Sequence, residues 1–226
     1  MKIYTNIIQG TDEWKELRHG KIGGSSIEKI MANADKPVSN NAIFYDIFAE
    51  QNEDFEIDEN EFTSTAMRRG VELEPQAVAV FENVFNKKTF EIGWAELNDF
   101  VGISPDRLIS EVSENVKEAL EIKCPNRNTY AKYLLNNNLA LEDYAWQLAH
   151  YFYIFPHLER LFFMIYRPEN KLKNFICIEV GMSTIIRISA KKTLTIAEML
   201  REIDKRINEL SSALKSASIE FMELPF

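Results

Sequence analysis

Near residue 88 the apolar side chains change their spacing from helical to alternating, and near residue 127 they change back. A helical period buries one stripe of a helix, and a period of two buries one face of a strand. The chain must therefore stack helices on a sheet. Ahead of the switch, residues 11–18 (TDEWKELR) open with Thr and Asp caps and place Trp14, Leu17 and Arg18 at helical spacing. Gly23-Gly24 then breaks the chain before a second capped helix at 25–31. Further helices are expected at 41–51 and 65–86, the latter with Val71, Val78, Phe81, Val84 and Phe85 on its buried side. Past the switch, Phe90, Ile92 and Trp94 alternate with polar or small residues, and strands are expected at 99–103, 106–112 and 116–124. Pro125 stops the last of these. Helices at 127–137 and 142–155, strands at 159–167 and 173–180, and a long amphipathic helix at 190–215 carrying Leu194, Ile196, Met199, Ile203, Ile207, Leu210 and Leu214 complete the pattern. Helices around a central mixed β-sheet give an α/β (α+β) fold class. With no repeat or low-complexity linker, one domain is expected over residues 1–226.

Composition narrows the functional classes. No apolar run approaches the ~20 residues of a membrane span, and the N-terminus, Met1-Lys2-Ile3-Tyr4-Thr5-Asn6, lacks the pattern of a secretory signal. Cys124 and Cys177 cannot build a metal cage, a disulfide framework or a four-cysteine cluster, so a reducing cytoplasm is the expected location. The net charge of −9 argues against a broad basic surface for nucleic acid. Seven of the acids, and no Lys or Arg, fall in residues 50–61 (EQNEDFEIDENE), which read as a solvated, mobile loop. The rest of the chain sums to −2, which permits a basic groove without requiring one.

The chemistry-bearing stretch is Ile103-Ser104-Pro105-Asp106 followed by Leu120-Glu121-Ile122-Lys123-Cys124. Strand residues two apart share a face, so Glu121 and Lys123 project together while Leu120, Ile122 and Cys124 turn to the apolar side. If the strand from 106 pairs antiparallel with that from 116, through a turn around Ser113–Asn115, Asp106 arrives beside them. Two carboxylates and the Ile122 carbonyl then offer the hard oxygen ligands that suit Mg²⁺. Such an ion activates water and polarises a phosphate, with Lys123 orienting the water or neutralising developing charge. The pattern Glu-x-Lys occurs three times, as Glu13-Lys15, Glu121-Lys123 and Glu169-Lys171, and only the middle one lies on an apolar strand behind a Pro-Asp. A surface ion pair on an edge strand explains the same residues.

Other residues join this stretch in a familiar order. Trp14, Arg18 and Gly20 form Trp-x-x-x-Arg-x-Gly, Gly70 and Glu74 form Gly-x-x-x-Glu, and Gln147 and Tyr151 form Gln-x-x-x-Tyr after the Pro-Asp and Glu-x-Lys-Cys-Pro segments. From about Gln9 to Tyr166 the chain resembles the lambda-exonuclease-like (YqaJ-type) viral recombinases, phage 5′→3′ exonucleases of the PD-(D/E)xK group. The resemblance implies a restriction-endonuclease-like core with Asp106 and Glu121 as metal ligands and Lys123 as the catalytic lysine. It places Glu74 at a second metal position or its shell, and Gln147 and Tyr151 along the site, where their i, i+4 spacing puts them on one helix face. It also implies a pocket for a terminal 5′-phosphate, formed by Arg18 and Ser25, with Gly23 and Gly24 allowing close backbone approach. Ser25 and Glu28 can equally be read as a capping box that needs no ligand. Met67 could wedge between bases or simply pack. Relatives often carry Gly after the Pro-Asp aspartate; Arg107 stands there instead, either contacting DNA or lying on the strand and facing solvent. His19, His150 and His157 show no ligand spacing and read as structural or solvent-facing.

The activity implied is Mg²⁺-dependent 5′→3′ degradation of one strand of linear duplex DNA, leaving a 3′ overhang for phage-type recombination. One or two ions are implied, with Mn²⁺ able to substitute. The implied partners are double-stranded DNA ends, further copies in a ring-shaped homotrimer that encircles DNA, and a single-strand annealing protein, in a host cytoplasm if the chain is phage-encoded. Two readings compete: an endonuclease or repair nuclease of the same fold, and a non-catalytic DNA-end-binding module.

Overall fold

A computed structural model describes residues 1–32, 36–57, 64–109, 112–113 and 115–222. The chain starts with β1 (Lys2–Tyr4) and the helices α1 (Asp12–Arg18), α2 (Ile27–Met31), α3 (Ala42–Asn52) and α4 (Thr65–Phe85). Thr11 caps α1 by accepting from the Trp14 amide, and Ser64 caps α4 by accepting from the Met67 amide. Asn86, in the left-handed region at φ 50°, ends α4. There follow β2 (Thr89–Phe90), β3 (Trp94–Asn98), β4 (Val101–Ile103), β5 (Arg107–Ile109) and β6 (Glu118–Lys123). Next come α5 (Arg127–Leu135), α6 (Asn138–Asp143) and α7 (Ala145–Ile154), then β7 (Arg160–Tyr166), β8 (Phe175–Val180), β9 (Ile185–Ser189), β10 (Lys192–Thr195) and α8 (Ile196–Met222).

Among the described residues the central sheet runs β2-β5-β6-β7-β8. β6 and β7 are parallel and the other neighbours antiparallel. Parallel pairing requires a long return, and α5 to α7 supply it. Alternation along β6 and β7 divides the core in two. Leu120, Ile122, Phe162, Met164 and Tyr166 pack against Ala77 and Phe81 of α4. On the opposite face Ala119, Leu161, Phe163 and Ile165 join a larger cluster with residues of α2, α7 and α8. The mixed sheet flanked by helices is the one expected from the change of period. β6 is the middle strand of this sheet, so the edge-strand reading of Glu121 and Lys123 does not hold.

Several boundaries depart from the sequence reading. Phe90 and Trp94 belong to different strands, because Gly93 turns away to donate its amide to the Tyr4 carbonyl and so admits β1 beside β3. Helix formation does not begin at 190: β9 and β10 form an antiparallel hairpin, and Leu194 pairs with Ile186. The true start is the Thr195–Glu198 capping box, in which Thr195 Oγ1 accepts from the Glu198 amide and Glu198 Oε2 accepts from the Thr195 amide. The expected 142–155 helix is divided at Tyr144 into α6 and α7. On α4, Val71 (74% exposed) and Val84 (54%) are not core residues, because the helix meets the sheet along Ala77 and Phe81. The acidic stretch starts inside α3, and its residues 58–61 lie outside the described residues, as do Ser110, Glu111 and Glu114 near the expected 106–112 strand and its turn. No helix among the described residues is long and apolar enough to cross a membrane.

His150 on α7 is fully buried and donates from Nε2 to the Gly102 carbonyl at 2.9 Å, while its Nδ1 has no hydrogen-bond partner among the described residues. Burial lowers its pKa from 6.5 to about 4, opposed by the Gly102 bond. On acidification the unfolded chain binds this proton first, so stability falls as pH drops from 6.5 towards 4. The full loss is about 3 kcal/mol. His150→Gln keeps a donor for Gly102, and urea midpoints at pH 7 and pH 4 should differ less in this variant than in the parent. An equal difference contradicts the assignment.

Candidate active site

The turn that carries Asp106 is fixed from outside. Ser104 Oγ donates to the Gly93 carbonyl at 2.7 Å and accepts from Trp14 Nε1 at 2.8 Å. Gln9 Nε2 donates to the carbonyls of Ile92 (2.9 Å) and Pro105 (3.0 Å). N-terminal residues thus hold a carboxylate distant in sequence, a role that Trp14's motif position did not disclose. Arg107 pairs with Leu120 in the β5–β6 ladder, so Asp106 comes to the height of Glu121. Its Oδ2 accepts from the Ile122 amide at 2.6 Å, continuing the ladder with a side chain where β5 begins. A strand residue aims its N–H and C=O at the same neighbour, so the Ile122 carbonyl also faces Asp106.

Glu121 is 1% exposed. Its Oε2 accepts from Tyr151 Oη at 2.5 Å, and its Oε1 meets Gln147 Nε2 at 2.9 Å and Lys123 Nζ at 2.6 Å. Gln147 and Tyr151 lie one turn apart on α7, so the expected shared face converges on one carboxylate. The Tyr151 oxygen also accepts the Asp106 amide at 3.2 Å and thereby ties both acids to α7. The Lys123 ammonium lies 5.0 Å from the ring centroid of Tyr144, the residue between α6 and α7. Sequence reasoning passed over Tyr144, which it placed inside an unbroken 142–155 helix.

The charges reinforce this grouping. Burial, and then the Glu121 charge, push the Asp106 carboxyl well above the usual range. Burial, Glu121 and Asp106 raise Tyr151 as well, so its phenol stays protonated and donates. Burial opposes the Lys123 charge, but Glu121 and Asp106 outweigh it and hold the amine above the ordinary lysine range. Two buried carboxylates against one ammonium leave an excess of negative charge. With the Ile122 carbonyl, this donor set fits a hard divalent cation.

Glu74 lies on the other side of β5. Among the described residues no three Asp, Glu, His or Cys side chains are grouped to hold a metal, so Glu74 does not complete a set with Asp106 and Glu121. Its Oε1 accepts instead from Arg107 Nη1 at 2.6 Å. Burial raises the Glu74 pKa and Arg107 opposes the rise. Arg107, with 12% of its side chain exposed, does not face solvent.

Arg18 lies 3.9 Å from the Trp14 ring centroid and 5.5 Å from that of Trp94. Burial lowers its pKa to about 10, opposed by Glu50, which leaves it charged at neutral pH, and its Nε is buried without a hydrogen-bond partner among the described residues. It lines a cavity with Lys15, Lys21 and Ser26, while exposed Ser25 lines an adjoining one with Lys21, Ser26 and Lys29. The competing reading of Ser25 and Glu28 as a capping box does not hold: α2 starts after Ser26, whose Oγ accepts from the Gly23 amide. Gly24 has room for a Cβ, whereas one on Gly23 would come within 3.3 Å of Arg18 Nη2. Met67 is exposed rather than packed in the core.

The model of the YqaJ-like viral recombinase domain matches residues 13–155, well over half of the chain. The chain belongs to the YqaJ-like viral recombinase family. The matched span holds the whole arrangement around Glu121 together with Arg18 and Ser25. In three dimensions the YqaJ-like chain is similar to an alkaline exonuclease (LHK-Exo) from Laribacter hongkongensis, with a TM-score of 0.70, 21% identity, and 95% of this chain and 100% of that one covered. The same enzyme in complex with dAMP gives a TM-score of 0.71 at 20% identity, with the same coverage. A phage related exonuclease from Haemophilus somnus 129PT gives 0.61 at 14% identity, covering 90% of this chain and 97% of that one. No curated protein matches in sequence. The shared fold is the PD-(D/E)xK core, a central mixed sheet flanked by helices.

Proposed function

We propose that this YqaJ-like chain is a Mg²⁺-dependent exonuclease that enters linear duplex DNA at an end and degrades one strand 5′→3′, leaving a 3′ overhang for recombination. The observation that carries this reading is the convergence of Asp106, Glu121 and Lys123 on a central strand, with Gln147 and Tyr151 fixing Glu121. Asp106, Glu121 and the Ile122 carbonyl hold the ion. When bound, Mg²⁺ supplies Lewis-acid polarisation of the scissile phosphate and lowers the pKa of attacking water. Lys123 stays charged and neutralises the negative charge that develops on the phosphate. Tyr151 and Gln147 prevent Glu121 from turning away, and Trp14 fixes the turn ahead of Asp106.

Arg18 and Ser25 receive the terminal 5′-phosphate. Support comes from the charged guanidinium of Arg18 and from Lys21, which lines both cavities. Trp14 links this end to the chemistry, since its ring faces Arg18 and its indole N–H reaches Ser104. A ring-shaped homotrimer around the duplex and a single-strand annealing partner belong to the same reading. An acidic exterior is compatible with encircled DNA, because topological linkage replaces a strongly basic surface. The test sets a 5′-phosphorylated linear duplex, its unphosphorylated counterpart and a closed circle side by side in Mg²⁺. The phosphorylated duplex should be consumed first, from its 5′ ends, and the circle should survive. Nicking of the circle overturns end-dependent entry in favour of an endonuclease.

A further inference from the structure

Arg107 is the residue whose environment the proposed chemistry leaves unexplained. Three oxygens surround its guanidinium. Nη1 donates to Glu74 Oε1 at 2.6 Å and to the Asp106 main-chain carbonyl, and Nη2 lies 3.6 Å from Glu91 Oε2. Two carboxylates and a carbonyl beside a hydrolytic site are the donors a hard cation would take, and here a side chain of the chain itself takes them. Alternation along β5 places Arg107 on the α4 face, with Ile109, and Asp106 on the opposite face, with Leu108. The guanidinium and the Asp106–Glu121 site are therefore neighbours on either side of one backbone turn.

We propose that Arg107 is a built-in cation that occupies the Glu74 side of the site, so that this chain binds a single divalent ion, between Asp106, Glu121 and the Ile122 carbonyl. The inference rests on the metal-dependent reading above and fixes its stoichiometry. A second dication at Glu74 would stand against the Arg107 guanidinium and would lose an oxygen ligand already engaged. Removing the guanidinium frees Glu74, Glu91 and the Asp106 carbonyl together and creates the second position.

Calorimetric titration with Mn²⁺ alone, without DNA, counts the ions. The parent chain should bind one Mn²⁺ and Arg107→Ala two, with the second lost again in Arg107→Ala/Glu74→Gln. Two ions in the parent, or one in both the parent and Arg107→Ala, overturn the proposal. No ion in the parent overturns it too, and with it the metal-dependent reading; a count of two spares that reading, so the two failures are distinguishable. Glu74→Gln in the otherwise unchanged chain gives an answer should Arg107→Ala fail to fold. Mn²⁺ affinity within about twofold of the parent's supports the proposal, and a loss of tenfold or more shows Glu74 to be a ligand.

Discussion

Lys123→Ala is expected to lower single-turnover cleavage of linear duplex by about 10²–10⁴-fold at saturating Mg²⁺, the range for removal of a positioned group that handles charge or protons in the transition state. The ammonium is 2.6 Å from Glu121 Oε1, and both carboxylates favour its charged form. Among the described residues no other cation pairs with Glu121, whose remaining donors, Gln147 and Tyr151, are neutral. Those two donors keep the carboxylate hydrogen-bonded in the variant, so the folded site should persist. The checks are a preserved thermal transition and preserved Mn²⁺ uptake beside the lost rate. Undiminished cleavage would remove Lys123 from the chemistry.

A large effect on stability is expected at Gly102. A Cβ there would lie 2.4 Å from Trp94 Cζ2 and 2.6 Å from the Ala95 carbonyl oxygen. The obstruction is a buried indole and a backbone atom rather than the end of a flexible chain, so the strand must move. Gly102 also pairs with Glu96 across β3–β4 and accepts from His150. Overpacking of this kind costs about 1–3 kcal/mol, and about 3 kcal/mol lowers Tm by roughly 6–12 °C in a chain of this size. Because β4 leads directly into the Asp106 turn, Gly102→Ala should also slow cleavage more than its loss of stability implies, at temperatures where the variant is still folded. A Tm within a degree of the parent's contradicts this account of the packing.

Much of this was legible in the sequence because periodicity and burial are local. Glu121 and Lys123 share a face because alternation fixes it, and Gln147 and Tyr151 share one because helical spacing does. What escaped the sequence depended on distant partners. β1 reads as nothing until Gly93 and β3 offer it an edge. Leu194 fits the apolar stripe of a long helix as well as it fits β10, and only its pairing with Ile186 distinguishes them. The Thr195–Glu198 capping box was the local clue to that boundary, overlooked because the apolar pattern ran through it. Arg107 could be noticed as a departure, but its link to Glu74 joins residues that no periodicity relates. Trp14 serves both the Asp106 turn and Arg18, a double role that appears only in three dimensions.

Under the proposed function, Asp106, Glu121 and Lys123 hydrolyse DNA with a divalent ion. The most direct measurement follows nucleotide release from a 5′-phosphorylated linear duplex in Mg²⁺, after excess EDTA, and after Mg²⁺ is restored. Release should proceed in Mg²⁺, stop in EDTA and resume on restoration, and Asp106→Asn should show none of it. Release that continues undiminished in EDTA, or in Asp106→Asn, would contradict the account.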